Sequence, residues 1–169
     1  TGDWDGKNGA THTSSSGATY RYVAANPYKD GEGDTLADIA MYYWVNDLRS
    51  DWPQAKKNVP PSRDGTNPAF WQHLVQYTVG LGVSGSLDPA TDLPALTAGT
   101  KSWPTAASNQ VDDLWHAALN SRGRYFNAGN PQAFSDALND ALNEIAARSG
   151  DAAAVATSKN TLDVGLKLY

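Results

Sequence analysis

The sequence predicts a layered α/β fold built around a parallel sheet. The first observation is the stretch 71–85, where most of positions 73–79 hold β-branched, aromatic or aliphatic residues before three glycines, Gly80, Gly82 and Gly85. Such a run is typical of an interior parallel strand that is buried on both faces. The second observation is that helical patterns precede and follow this strand. Two predicted core strands are too few for a sheet with helices on both faces, so we expect part of a sheet whose other strands lie elsewhere.

The length of the chain corresponds to about one ordinary domain, and its composition argues against several classes of function. The chain has 169 residues, a formal net charge of −5 and 13 scattered Lys and Arg residues. That charge argues against binding to nucleic acid or to an anionic membrane surface. There is no cysteine, and no apolar run reaches the roughly 18 residues of a membrane span. Because the chain opens with Thr-Gly-Asp-Trp rather than Met, we expect a piece of a larger protein.

The first half of the chain predicts loops and one helix. Residues 1–33 are rich in Gly, Ser, Thr, Asn and Asp, and they predict a flexible, loop-rich surface segment with a short strand at 20–25. Asp34 is expected to cap a helix that runs to about Leu48 or Arg49. Four prolines and several polar residues then predict a long loop over 50–68. The apolar stripe of the helix comprises Leu36, Ile39, Ala40, Tyr43 and Trp44.

The second half predicts an irregular stretch over 86–108 and then helix, strand and helix. Asn109 is expected to cap the first helix, whose stripe holds Val111, Leu114, Trp115, Ala118 and Leu119. A strand follows at 122–127. Asn130-Pro131 is a strong helix start, and the helix should reach Arg148 and be closed by Gly150. One face of this last helix is lined by Phe134, Leu138, Ala141, Leu142 and Ile145.

The glycine turn from Gly80 to Gly85 matches the G-x-G-x-x-G pattern of dinucleotide sites and follows a strand. That pattern needs a helix to begin at its end, so that the pyrophosphate lies on the helix N-terminus. Here an irregular proline-containing stretch follows instead. The same turn misses the G-x-S-x-G nucleophile elbow because Ser86 stands where glycine is required. The patterns favour a turn that simply needs glycine, and a nucleotide-binding or hydrolase-like enzyme is the alternative.

Other polar motifs are weak, and no catalytic, cofactor-binding or metal residue is assigned. The histidines lack metal-ligand spacing. Asp112 and His116 share a helix face, which favours an ordinary surface pair over an oriented imidazole. Residues 3–9 hold two Asp and one Asn, as a calcium loop does, but Lys7 stands where an oxygen ligand is needed. Core packing is the expected role of Tyr43, Trp44 and Trp115, although aromatic residues also suit a partner surface. The three histidines are His12, His73 and His116.

A series of strings between residues 27 and 149 carries a family resemblance. They are Pro27-Tyr-Lys-Asp, Asp34-Thr-Leu-Ala-Asp-Ile-Ala-Met-Tyr-Tyr-Trp, Asp47-Leu-Arg, Trp71-Gln-His, Thr78-Val-Gly-Leu-Gly, Val111-Asp-Asp-Leu-Trp-His-Ala-Ala, Asn120, Arg122-Gly and Tyr125-Phe. In this order and spacing they are similar to the PilY/PilC-type proteins found at the tips of bacterial type IV pili.

The resemblance implies a fold and a domain organisation. Residues 34–149 would be the C-terminal half of a von Willebrand factor A-like domain, with a partial Rossmann-like sheet, flanking helices and long loops, lacking its N-terminal strands. Residues 150–169 would be a linker and the start of a propeller-like module. Such a domain binds metal through Asp-x-Ser-x-Ser, which this sequence lacks. No cofactor is therefore expected in this chain. The resemblance allows a divalent cation in the missing half of the domain.

The resemblance also implies a function. We expect a non-enzymatic, exported protein of the bacterial cell surface, at the pilus tip or outer membrane, that acts in adhesion and pilus assembly. Its expected partners are minor pilins, the rest of its own domain, and a host or abiotic surface. A chain with two core strands should be stable only when packed against the rest of its domain or another chain. A phage or secretion-system structural protein that shares the module is a further possibility.

Overall fold

A computed structural model of the chain describes residues 2–53, 56, 59, 65–105 and 109–148. Within these ranges the elements follow in order along the chain. They are β1 (Thr11–Thr13), β2 (Thr19–Arg21), α1 (Leu36–Val45), β3 (Tyr77–Leu81), α2 (Leu93–Ala98), α3 (Gln110–Asn120), β4 (Arg124–Ala128) and α4 (Pro131–Arg148). The predicted order of helix, strand, helix, strand, helix is present, with a hairpin and a short helix added. The predicted linker and start of a propeller-like module at 150–169, and the predicted helix end at Gly150, lie outside the described residues.

Strands β3 and β4 form the predicted parallel pair, in a register that sets Tyr77 opposite Arg124 and Leu81 opposite Ala128. The two faces of this ribbon contact different helices. Val79 and Phe126 pack with α4, whereas Thr78 on the other face donates from its hydroxyl to the Leu114 carbonyl of α3. The α/β class is therefore confirmed.

Strand β3 differs from the prediction in its start and in its burial. It begins at Tyr77 rather than at residue 73, and only Gly80 of its five residues is fully buried. Leu81 is 60% exposed. The expectation of burial on both faces was wrong for the described residues because β4 is the only strand there that pairs with β3. A strand needs neighbours on both edges and covered faces to be buried as an interior strand is.

Helix α1 begins with a capping box, and not with the predicted cap at Asp34. The Thr35 hydroxyl accepts a hydrogen bond from the Asp38 backbone N–H, and the Asp38 carboxylate accepts one from the Thr35 backbone N–H. Asp34 lies one residue earlier with φ +65°, in the left-handed region, and accepts a hydrogen bond from the Gly2 N–H. The cap is thus one residue later than predicted.

The same helix ends at Val45, earlier than the predicted Leu48 or Arg49. Asn46 is extended, and the Leu48 N–H bonds to the carbonyl of Gln72, which draws the chain away from the helix axis. The buried face is also rotated from the predicted one. Trp44 is fully buried as expected, whereas Tyr43 is 42% exposed and its predicted core role was wrong.

The first core cluster joins α1 to the N-terminal segment and to residues 69–71. The predicted loop-rich segment 1–33 contains the β1–β2 hairpin, which sequence reasoning had not predicted beyond one short strand at 20–25. Trp71 stacks on His12 with ring centroids 4.0 Å apart, and its indole N–H donates to the Trp44 carbonyl at 2.8 Å. The buried members of this cluster are Tyr22, Met41, Trp44, Val45, Ala69 and Trp71.

The stretch 86–108, predicted to be irregular, contains helix α2. Pro94 occupies its first turn, and Gly99 with φ +72° ends it in the left-handed conformation that glycine adopts without steric cost. Leu96 of α2 packs with Leu87 and Trp115 in a second core cluster. The burial of Trp115 confirms the core role predicted for it.

Helix α4 runs from Pro131 to Arg148, as predicted, and Asn130 accepts a hydrogen bond from the Ala133 N–H at its start. Its buried face, however, consists of Ala137 and Ala141, which pack on Phe126. Among the described residues, no helix combines the length and the apolar character needed to cross a membrane.

Candidate functional site

The glycine turn after β3 lacks the geometry of a nucleotide site. Gly82 has φ +65°, which a side chain resists, so glycine is needed there for the turn itself. Gly85 lies so close to α3 that an added Cβ would overlap the Asp112 carboxylate. The next helix begins only at Leu93. The pyrophosphate-binding helix N-terminus that the pattern requires is therefore not formed directly after Gly85.

A pocket of about 370 Å³ lies beside this turn, at the end of the sheet where β3 and β4 finish. Asp88, Asp92 and Asp112 contribute carboxylates to its lining. Asp112 is buried and accepts hydrogen bonds from the N–H groups of Ser86 and Leu87 and from the Ser86 hydroxyl. Asp92 is paired with Lys101 at 2.7 Å, but the lining formed by the described residues holds no basic side chain that could bind phosphate, so the nucleotide-binding interpretation has no support here.

Adjacent aspartates on α3 bind two different segments, a loop and the start of a helix. Asp112 binds the loop at Ser86, as above, while the Asp113 carboxylate accepts from the backbone N–H groups of Leu36 and Ala37, at 3.0 Å each. These are unpaired donors at the start of α1, where a negative charge also suits the helix dipole. Asp113 therefore fixes α1 against α3, and α1 and α3 pack closely along their length.

A buried polar cluster lies where the N-terminal segment, the loop at residue 30 and helix α3 meet. It consists of Asp5, Asp30, His116 and Asn120. The Asn120 amide donates to Asp5 Oδ2 at 2.8 Å, and the Asp30 N–H donates to Asp5 Oδ1 at 3.1 Å. Asp5 and Asn120 have no exposed surface, and His116 is 2% exposed.

His116 is held on three sides. Its Nε2 lies 2.6 Å from the Tyr28 carbonyl oxygen and 3.6 Å from Asp5 Oδ2, while its Nδ1 lies 3.4 Å from Asp30 Oδ2. The imidazole ring also stacks on Trp103, with centroids 4.1 Å apart. The predicted surface pair of Asp112 and His116 was wrong, because both side chains are buried and they bond to different loops.

Burial raises the pKa of the Asp5 carboxyl to about 6, and nearby His116 only partly offsets this increase. Asp30 and Asp38 raise the pKa of Asp5 further, since negative charges close by disfavour ionisation. The Asp38 carboxylate itself accepts hydrogen bonds from the N–H groups of Trp4 and Thr35, at 2.6 and 3.1 Å. The cluster is thus rich in carboxylate oxygen and poor in positive charge.

The other candidate residues from the sequence analysis, His12, His73 and the segment 3–9, do not form one site with one another. His12 bonds to the Val45 carbonyl and His73 to the Trp71 carbonyl, each in the first core cluster. Of the segment 3–9, Asp3 and Asp5 come close to Asp38, with ligand atoms within 4.8 Å of one another. Sequence periodicity did not indicate the Asp5, Asp30 and His116 cluster, because its members are separated by tens of residues.

Helix α4 presents an apolar stripe to the outside of the described structure. Phe134, Leu138, Leu142 and Ile145 are 39%, 46%, 55% and 43% exposed. They recur at three- and four-residue spacing, so they lie along one side of the helix. The face predicted to be the core side is therefore largely open here, because only the alanines pack on the sheet. A continuous apolar stripe of this kind is typical of an interaction surface.

Comparison with known proteins identifies relatives. Over 171 residues the chain is 39% identical to the type IV pilus biogenesis factor PilY1 of Pseudomonas aeruginosa strain PAO1, covering 87% of this chain and 15% of that protein. It is 38% identical to PilY1 of strain PAK over the same shares and 37% identical to PilY1 of strain UCBPP-PA14, over 85% of this chain and 14% of that protein. The chain thus spans about one seventh of the length of these curated relatives. No family model and no solved structure matches it.

These similarities define the class of protein as a type IV pilus protein. Within that class, the chain belongs to the PilY1 type, which confirms the resemblance seen in its motifs. The von Willebrand factor A-like fold, the domain boundaries at 34 and 150 and the absence of a cofactor stay predictions.

Proposed function

We propose that this chain is a segment of a type IV pilus biogenesis factor that acts without catalysis, through contacts with other proteins. The names of its relatives support the pilus role. We place the protein at the bacterial cell surface, at the pilus tip, where it assists assembly and adhesion to a host or abiotic surface. Minor pilins and the rest of its own domain are the proposed partners.

The observation that carries this proposal is the apolar stripe on α4. Its four side chains are about 40–55% exposed, although they are large and apolar. Exposure of this much apolar surface in one row is costly in water unless a partner covers it. The rest of the domain or a pilin subunit would bury the same row and gain the hydrophobic free energy of that burial.

The test compares two neighbouring substitutions in the intact protein, expressed from its own locus. Leu142→Glu places a charge within the stripe, whereas Asn143→Glu places the same charge at the next exposed position, on another side of the helix. We expect Leu142→Glu to reduce surface pilin and co-purification of minor pilins, with Asn143→Glu close to wild type. Circular dichroism checks that both variants fold. Equal piliation and equal co-purification in the two variants would contradict a role for the stripe.

The tip location needs a separate measurement. Sheared, purified filaments should contain one or a few copies of the intact protein for each filament, and immunogold label should lie at filament ends. Many copies along the shaft would contradict the tip location and favour a structural subunit.

A further inference from the structure

The cluster of Asp5, Asp30 and His116 offers a mixed set of metal ligands. One ligand atom from each of the three residues lies within 4.8 Å of the others. They come from three parts of the chain, the N-terminal loop, the loop at residue 30 and helix α3. The set contains none of the residues of an Asp-x-Ser-x-Ser motif, so it is distinct from the metal site that the family resemblance implies.

The hydrogen bonding of His116 suits a metal ligand. Its Nε2 lies 2.6 Å from the Tyr28 carbonyl, so this nitrogen carries a proton and donates. That bond fixes the tautomer in the way that metal-binding histidines are fixed, with the other nitrogen free as a ligand. His116 Nδ1 then faces Asp30 Oδ2 at 3.4 Å. A charge-assisted hydrogen bond would be about 2.7–2.9 Å, whereas two ligands of one tetrahedral zinc ion lie about 3.4 Å apart.

Asn120 supplies a second, independent observation. Its side chain has no exposed surface and lies against the cluster, because its Nδ2 donates to Asp5 Oδ2 at 2.8 Å. The Oδ1 atom of the same amide is buried and makes no hydrogen bond within the described residues. Buried amide oxygens almost always have a partner, so this unpaired oxygen, on the amide that bonds to Asp5, favours a hydrogen-bond donor or a cation close to that carboxylate.

The excess of carboxylate charge around Asp5 also favours a bound cation. The Asp5 carboxylate lies close to those of Asp30 and Asp38, and the buried cation Arg122 directs its guanidinium to the carbonyls of Leu119 and Asn120. A cation bound between Asp5 and Asp30 would offset this excess of negative charge, and burial strengthens that interaction.

We propose that Asp5, Asp30 and His116 bind one divalent transition-metal cation, with Zn²⁺ as the best match, next to the Asn120 amide that bonds to Asp5. An imidazole nitrogen with two carboxylates suits zinc, whereas calcium and magnesium prefer oxygen ligands alone. Asp5 and His116 are buried and the Asp30 side chain is 11% exposed, so protein surrounds most of the site, as it does in structural zinc sites. The ion would tie the N-terminal loop and the loop at residue 30 to α3.

The experiment measures the zinc content of the intact protein that carries this chain. The protein is stripped with a chelator, dialysed against Zn²⁺ and analysed by elemental mass spectrometry, with circular dichroism as the check on folding. Asp30→Asn should lose one equivalent of zinc relative to wild type. The matched control is Asp3→Asn, which lies beside Asp5 but belongs to the neighbouring carboxylate group with Asp38, and it should keep the full content.

Equal zinc content in wild type and Asp30→Asn overturns the proposal, and so does a loss in Asp3→Asn alone. Binding of Ca²⁺ but not Zn²⁺ at the site also overturns it. If Asp30→Asn does not fold, anomalous diffraction from zinc-loaded wild-type crystals decides the question. A zinc peak at bonding distance from His116 supports the site, and its absence there overturns it.

Discussion

Two parts of the structure are stabilised by different interactions. We call α1, α3 and the N-terminal segment packed on them the first half, and β3, β4 and α4 the second half. In the first half, Trp44 and Met41 have no exposed surface, and the carboxylates of Asp38 and Asp113 each accept hydrogen bonds from two or more backbone N–H groups. In the second half, the core cluster contains one large buried side chain, Phe126, and α4 leaves its largest side chains exposed.

This difference teaches where each half obtains its stability. Buried apolar area and satisfied buried hydrogen bonds stabilise the first half internally. Ala137 and Ala141 bury little area, so α4 is held weakly unless something covers its stripe. The first half therefore behaves as a preformed unit, while the second half presents surface for a partner.

The largest effect is expected for Trp44→Ala. Trp44 is fully buried, contacts Tyr22 and Trp71 in the first core cluster, and donates its indole N–H to Asn67 at 3.1 Å. Removal of such a side chain should lower the free energy of opening of α1 by about 3–5 kcal/mol. Native-state hydrogen exchange of the α1 amides measures it. A loss below 1 kcal/mol would mean that the first half is not a tightly packed unit.

Arg122→Lys should have the next largest effect, about 2 kcal/mol. The Arg122 guanidinium lies 3.7 Å from the ring centroids of both Tyr28 and Trp44, and burial lowers its pKa. Lysine keeps the charge but not the planar surface that stacks between two rings. Hydrogen exchange of α3 and α1 reports the loss. Retained protection would show that charge alone, and not stacking, joins the end of α3 to this core.

The sequence predicts local features of these halves much better than their buried faces. Asn130-Pro131 sets the start of α4 correctly, because a cap and a proline act within one turn. The buried face of α3 was predicted only in part: Trp115 and Ala118 are buried as expected, whereas His116 and Asn120 were missed because periodicity assigns polar residues to the outside. Their burial depends on Asp5, which is 115 residues from Asn120 in the chain. No short-range pattern contains that pairing.

The missed start of α1 has a local cause, whereas the contact that joins this start to α3 is long-range. Thr35 and Asp38 form a capping box that could have been read from the sequence, since both signals lie three residues apart. The contact of Asp113 with Leu36 and Ala37 could not, because it joins residues more than 70 positions apart. Long-range polar contacts of this kind require the tertiary structure.

Asp113→Asn should cost about 1–2 kcal/mol. The amide keeps one acceptor for the N–H groups of Leu36 and Ala37 and loses the charge that favours the N-terminus of α1. Exchange of the first-turn amides of α1 should accelerate more than exchange near Trp44. Asp136→Asn, at an exposed position of α4, is the matched control and should leave α1 unchanged. Uniform acceleration along α1 would contradict a role confined to the cap.

The smallest effect is expected for Leu142→Ala in the 169-residue chain alone. Leu142 is 55% exposed, so truncation should change stability by less than about 0.5 kcal/mol, measured as exchange of the α4 amides. A larger loss would show that Leu142 is packed within this chain. In the intact protein, the same substitution distinguishes the two partners proposed to bury the stripe, namely the rest of the same protein and a separate pilus subunit. A loss of about 2 kcal/mol or more assigns the cover to the rest of the same protein, because only a buried leucine costs that much to truncate. An unchanged stability assigns it to a separate pilus subunit that is lost on purification.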